Sequence, residues 1–276
     1  MKIAVAGLGL IGGSMAKAFM EAGDTEVFGC DCDCATMARA RLENAVTDEL
    51  TKENIGSCDY VFIALYPEAT IEFMEKYSPF ISRDTTVIDC GGTKREICKK
   101  GFSLAKKYGY RFLGGHPMAG TQFSGFKYSR ASMFQNASMI LVPDKNETIE
   151  ILEKTKKLLQ KAGFKSVTVS SAEEHDKIIA YTSQLAHVVS NAYVKSPNSR
   201  VHKGFSAGSY RDLTRVAKLN PDMWTELFME NGDNLCFEID NIIAELQKYS
   251  DAIKTGDKTK LRDLLDEGSK IKESIG

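Results

Sequence analysis

Three groups of residues in this 276-residue chain have the types and spacing to do chemistry. The first is "GGHPMAG", residues 114–120, which leaves His116 between glycines and a proline just past the apolar run "YRFL". Glycines there let a ligand come close, and an imidazole titrating at about 6.5 can take a proton from a hydroxyl. A histidine so placed can equally brace a turn, and the placement alone leaves both readings open. The second is "GLGLIG", residues 7–12, with Asp31 nineteen residues after Gly12. Behind a strand and at a helix start, Gly7 makes the turn, Gly9 admits a pyrophosphate and Gly12 lets helix pack on strand. The free N–H groups of the first turn, from Leu10 and Ile11 onward, then face the phosphates. Asp31 would accept hydrogen bonds from ribose hydroxyls and repel a 2′-phosphate, and Cys32 offers that phosphate no cation, so NAD is expected rather than NADP. A glycine-rich turn with a solvated aspartate is the plainer alternative. The third is "SYRDLTRVAK", residues 209–218, where Arg211 and Arg215 are four apart and share a helical face. Their repulsion costs a few tenths of a kcal/mol, which an anionic ligand offsets, because guanidinium forks match carboxylates. The plainer reading pairs Asp212 with Arg215 on the surface.

Two further features take their ordinary readings. His187, twelve residues past His175, reads by default as a core or interface imidazole with a satisfied hydrogen bond. Cys30, Cys32 and Cys34 alternate as on one face of a strand, but zinc wants wider gaps and nearby partners, so small thiols and no metal are expected.

The elements that must position these groups follow from periodicity. "KIAVA", "EVFGCD", "DYVFIAL", "TTVIDC" and "YRFL" are short apolar runs separated by helical patterns of ten or so residues. That alternation means βαβ units and an α/β fold with a doubly wound, mainly parallel sheet of Rossmann type. "SMILV" and "SVTVS", flanking the amphipathic "ETIEILEKTKKLLQKAG", carry this dinucleotide-binding domain to residue 170. Ser171 and Glu174 then form a capping box that opens a long helix to about Tyr193. "SPNSRVHKGFSAGS" is a loop, "YRDLTRVAKL" a helix, and Asn220-Pro221 starts the next. No strand pattern follows residue 171, so residues 171–276 are expected to be an all-helical dimerisation domain whose apolar faces pack against a second copy.

Composition narrows the classes. With 36 basic against 37 acidic side chains the net charge is −1, which argues against a nucleic-acid or membrane-surface footprint. The first twenty residues have the basic start and apolar run of a secretory leader. Gly7, Gly9, Gly12 and Gly13 interrupt it, however, and Lys17 stands where cleavage needs a small neutral residue. No stretch is apolar for the roughly 20 residues of a membrane span. Seven cysteines, an odd number, read as reduced thiols, and a cytoplasmic protein is expected.

"GLGLIGGS", "DCGGTK", "GGHPMAGT", "SQLAH" and "YRDLTRVAKLNPDMW", in this order, resemble the prephenate dehydrogenase family, including its arogenate-using relatives, over nearly the whole chain. The resemblance implies a Rossmann domain with a helical dimerisation domain, NAD as cofactor, and oxidative decarboxylation of prephenate to 4-hydroxyphenylpyruvate on the way to tyrosine. It implies that His116 is the catalytic histidine, bonded to the substrate's ring hydroxyl. Arg215 stands where the family holds a substrate carboxylate, His187 and Thr121 line the pocket, Trp224 is close by, and Arg211 is a second cation. Two positions depart from the pattern. Gly92 stands where a serine hydroxyl is common, and Gln184 where a histidine is often found. With the sequence stopping soon after the helical part, no fused mutase or regulatory domain is expected. The rivals are arogenate dehydrogenase, another two-domain hydroxy-acid dehydrogenase, and a non-catalytic NAD sensor. The second would call for a marked lysine in the helical domain, and none is evident.

Overall fold

In the computed structural model, which describes residues 1–121 and 123–276, the short apolar runs form an eight-stranded sheet in the order β3-β2-β1-β4-β5-β6-β7-β8. β1 (Lys2–Ala6) leads into α1 (Leu10–Glu21), β2 (Glu26–Cys30) and α2 (Cys34–Leu42). The two-residue β3 (Asp48–Glu49) closes one edge. On the other side of β1 lie β4 (Tyr60–Ile63), α3 (Pro67–Tyr77), β5 (Thr86–Asp89), α4 (Arg95–Tyr108) and β6 (Arg111–Pro117). Strand order reverses between β1 and β4, the place where doubly wound sheets hold ligands at their carboxyl edge.

Every neighbouring pair is parallel except β6 with β7 (Ser138–Pro143), which run antiparallel with His116 opposite Ile140. α5 (Ile149–Lys161) and β8 (Ser166–Val169), parallel to β7, complete the sheet. Period-two alternation feeds two cores. Ile3, Val5 and Phe62 face one side with Phe19 of α1, and Ala4, Ala6, Val61 and Ile63 face the other. Helices cover both faces, which is why the central strands are apolar throughout.

Beyond the sheet, the described residues are helical: α6 (Ala172–Ile179), α7 (Ala186–Tyr193), α8 (Gly208–Thr214), α9 (Pro221–Glu230), α10 (Gly232–Thr255) and α11 (Lys258–Ile275). α6 and α7 are one continuous helix, reaching Tyr193 as expected, with a π turn at Ala180–Leu185 between them. Half of the capping box forms. Ser171 Oγ accepts from the Glu174 amide at 3.1 Å, but the Glu174 carboxylate goes to the Ser170 hydroxyl. Asn220 caps α9 through the Asp222 and Met223 amides, with Pro221 in the first turn.

One helix is shorter than its sequence pattern. α8 stops at Thr214 with Arg215 as its C-cap, still in the right-handed helical region, so the four-residue spacing from Arg211 holds and the chain leaves the helix only after Arg215. The carbonyls of Val216 and Ala217 are taken by His187 Nδ1 (3.1 Å) and Asn191 Nδ2 (3.0 Å) of α7, which bends the segment out of the helix.

Candidate active site

The glycine loop is a cradle made of backbone. Gly7 has φ +82°, and a Cβ on it would lie 2.5 Å from the Ala64 carbonyl oxygen. A Cβ on Gly12 would lie 1.8 Å from the Gly7 oxygen, so the helix start fits against the loop only without one. Gly9 has nothing within 4 Å, leaving open space over the loop. No side chain caps α1 and no acid sits in its first turn, so the amides of its N-terminus point into that space unpaired by the protein's own carboxylates. Asp31 follows β2 directly. Its Oδ2 accepts from the Leu8 amide at 2.8 Å and its Oδ1 from the Asp33 amide at 2.9 Å, which fixes the carboxylate beside the loop with lone pairs to spare.

His116 lies at the carboxyl end of β6, half-buried, and Asp89 receives the neighbouring Gly115 amide at 3.0 Å. Its Nδ1 stands 2.9 Å from Nε2 of His175, and Nδ1 of His175 stands 2.7 Å from Oδ1 of Asp176. Asp176 also receives the amides of Lys94 (2.7 Å) and Arg95 (2.9 Å), so this α6 carboxylate caps α4. Nε2 of His116 has no hydrogen-bond partner among the described residues, and the residue as a whole is only partly buried. Beneath the pair, Lys94 and Asp89 form an ion pair, both fully buried.

Electrostatics follow from burial. The His116 imidazole is pushed well below its ordinary pKa by burial, then by the neighbouring His175 and the Lys94 ammonium. His175 is lowered by burial, against the raising effect of its hydrogen bond to Asp176. Burial alone would raise Asp176, but the bonds from His175 and the Arg95 amide hold it below the usual carboxylate range.

The two departures from the family pattern have visible consequences. A Cβ on Gly92 would meet Leu227 at 3.2 Å, and no hydroxyl approaches His116 from that position. Gln184, in the π turn, donates to the Leu227 carbonyl at 3.0 Å and accepts from Asn231 at 2.8 Å. Asn231 in turn donates to the Asp176 carbonyl at 2.8 Å. Gln184 therefore locks α9 and α10 to the helix that carries His175.

A cleft of about 370 Å³ is lined by Thr121, Phe123, Tyr128, Arg130 and Arg215. Phe123 and Tyr128 stack with ring centroids 4.6 Å apart. Arg211 is absent from this lining. Its side chain is 82% exposed and lies 3.7 Å from Asp212, the carboxylate that the plainer alternative paired with Arg215. His187 holds the turn that follows Arg215, through Val216, and packs against Trp224 with ring centroids 4.1 Å apart and planes tilted by 47°, without itself lining the cleft. No group of three or more His, Cys, Asp or Glu side chains suited to a metal occurs among the described residues.

Comparison with known proteins reaches the same reading independently. The prephenate dehydrogenase nucleotide-binding domain profile matches residues 15–168, and the prephenate dehydrogenase dimerization domain profile matches residues 171–267. The chain belongs to the prephenate dehydrogenase family. Prephenate dehydrogenase of Bacillus subtilis (strain 168) is 31% identical over 265 residues, covering 92% of this chain and 71% of that protein. Cyclohexadienyl dehydrogenase of Zymomonas mobilis is 30% identical over 285 residues, covering 99% of this chain and 95% of that one. The crystal structure of prephenate dehydrogenase from A. aeolicus, in complex with hydroxyphenyl propionate and NAD+, superposes with a TM-score of 0.86 at 28% identity. It covers 100% of this chain and 98% of its own.

Against that family background, the site contains residues that motif reading did not single out: His175, Asp176, Asp89, Lys94 and Arg130. Asp89 and Lys94 are the first and last residues of "DCGGTK", and His175-Asp176 directly follow Glu174, the last residue of the capping box, so local signals existed for four of them. Arg130 carried none.

Proposed function

We propose that the chain is an NAD-dependent dehydrogenase that oxidises prephenate, losing CO2 to give 4-hydroxyphenylpyruvate. Residues 1–170 hold the dinucleotide, and residues 171–276 complete the substrate site and the dimer. Gly7, Gly9, Gly12 and the amides from Leu10 and Ile11 onward receive the pyrophosphate, and Asp31 the adenosine ribose. NAD⁺, when bound, supplies the hydride acceptor. The observation that carries the reading is an imidazole, held neutral, whose Nε2 has no partner among the described residues, at the same sheet edge as an uncapped glycine loop. His116 accepts the ring-hydroxyl proton as the carbinol hydrogen leaves as hydride. Loss of the ring carboxylate then aromatises the ring.

The cleft supports the choice of substrate. Arg130 and Arg215 supply two cations for two carboxylates, with Thr121 as a hydroxyl donor, and Arg211 is left in solvent. No acidic side chain lines the cleft among the described residues, so nothing there favours the ammonium that distinguishes arogenate. Phe237, Ile243, Leu246 and Ile253 of α10 and Leu265 of α11 are large, apolar and exposed, which supports burial against a second copy. No helix among the described residues is long and apolar enough to cross a membrane, and all seven cysteines are free.

The test is NADH formation by the purified protein with prephenate and arogenate in parallel, each with NAD⁺ and NADP⁺. Prephenate with NAD⁺ should give the highest kcat/KM. Higher kcat/KM with arogenate would move the assignment to that substrate, and no reduced cofactor with either would remove it.

A further inference from the structure

We propose that His175 is a positioning residue which, with Asp176, fixes His116 in the tautomer whose Nε2 carries a lone pair. The proposal rests on His116 as proton acceptor and adds the groups that make it one. Asp176 is the anchor. Its Oδ1 takes the Lys94 amide and its Oδ2 the Arg95 amide, at the positive start of α4, so it is a carboxylate and acts only as an acceptor. Nδ1 of His175, 2.7 Å from Oδ1, must therefore carry a hydrogen.

The next link is the 2.9 Å contact between Nε2 of His175 and Nδ1 of His116, which holds one proton. Either His175 is an imidazolium that donates at both nitrogens, or it is neutral and accepts at Nε2. The charged and titratable groups packed around the pair decide. Asp89 comes from β5, Lys94 and Arg95 from the start of α4, Asp176 from α6, and Glu230 from the end of α9. Lys94 and Asp89 neutralise one another, Arg95 is shared with Asp233, and Glu230 is bonded to Thr93. Among these, the one carboxylate bonded to His175 is Asp176, which already caps α4. Burial then keeps His175 neutral.

The shared proton consequently belongs to Nδ1 of His116, and Nε2, which has no partner among the described residues, carries the lone pair. A free neutral histidine side chain prefers the opposite tautomer, with hydrogen on Nε2, and that form would present a proton where the reaction needs a lone pair. The relay reverses the preference. When the substrate O–H breaks and an N–H forms at Nε2, His116 becomes an imidazolium. Its Nδ1–H still donates to His175, and His175 still donates to Asp176. The new charge meets a carboxylate through one neutral ring, with no heavy atom displaced.

The chain has only four histidines, so nitrogen-15 histidine NMR of the full-length protein reads the tautomers directly. Near neutral pH, His116 should show a protonated Nδ1 and a bare Nε2. In His175→Phe, which keeps a ring but removes the acceptor, the His116 proton should move to Nε2. With it, kcat should fall by roughly the 10–100-fold typical of losing an orienting partner, while KM for prephenate and NAD⁺ affinity stay close to wild type. His175→Gln, which restores an acceptor for Nδ1, should recover most of kcat. The proposal is overturned if His116 in the native protein is protonated on Nε2, or if His175→Phe retains both native tautomer and native kcat. Should His175→Phe fail to fold, the native spectrum and the glutamine variant decide the matter. A native tautomer as assigned in a protein that does not oxidise prephenate would uphold the relay while removing the substrate assignment.

Discussion

The loop from Gly7 to Gly12 is made of backbone and empty space, whereas the site around His116 is made of side chains from β5, β6, α4 and α6. The first occupies one contiguous stretch, and its working parts are atoms that are missing: no Cβ at Gly7, Gly9 or Gly12, and no capping side chain on α1. The second draws on Asp89, Lys94, His116, His175 and Asp176, spread over 88 positions, and its working parts are protons held at particular nitrogens. A site of the first kind fails by collision, and one of the second kind by chemistry in a fold that stays intact. The two therefore separate in experiment.

The largest separation is expected at His116. His116→Asn should keep NAD⁺ binding and thermal stability yet lower kcat by roughly the 10²–10⁴ of general acid–base catalysis. Because burial lowers the pKa of this imidazole, the neutral, proton-accepting form persists as pH falls. The acid limb of kcat in the wild type should therefore lie below the ordinary value of about 6.5, and be absent in the variant. An acid limb at or above that value would show that the ring is not held neutral.

The glycine loop gives the converse pair. Gly12→Ala puts a methyl 1.8 Å from the Gly7 oxygen, so it should lower Tm by several degrees and abolish NAD⁺ binding together. Gly9→Ala meets nothing within 4 Å and should leave Tm unchanged, weakening only NAD⁺ affinity, read by titration of protein fluorescence. Equal loss of Tm in the two variants would erase the distinction.

The smallest effects belong to the cleft. Arg215→Ala and Arg130→Ala should each raise KM for prephenate, by the loss of a charge-assisted hydrogen bond of about 1.5–3 kcal/mol, and spare NAD⁺ affinity. Arg211→Ala, which removes an exposed side chain outside the cleft, should leave both constants near wild type. A KM rise confined to Arg211→Ala would return the second cation to the position that helical spacing suggested.

The same contrast explains what was legible in the sequence. A turn that needs three glycines leaves three glycines in the chain, so the loop, the strand before it and Asp31 could be read in place. The doubly wound order could be read as well, because apolar runs and helical periods alternate. The antiparallel β7 could not, since "SMILV" has the same composition in either direction. The end of α8 at Arg215 was hidden for another reason: the bonds that take the Val216 and Ala217 carbonyls come from His187 and Asn191, more than twenty residues earlier. The His116–His175 contact spans fifty-nine positions, and nothing periodic connects them. Arg130 reaches the cleft from the segment after β6, where neither strand nor helix announces a direction.

The π turn at Ala180–Leu185 has a consequence best put as phase. Such a turn is an α-helix with one residue inserted, and each residue advances the helix by about 100°. His175 lies before the insertion and His187 after it, on one continuous rod. Deleting a single residue from the turn would restore the regular repeat and leave His175 beside His116. It would also swing His187 about 100° away from Trp224 and from the Val216 carbonyl that sets the turn after Arg215. The number of residues between the two histidines is therefore a setting of the protein in its own right, fixed by counting rather than by the identity of any side chain.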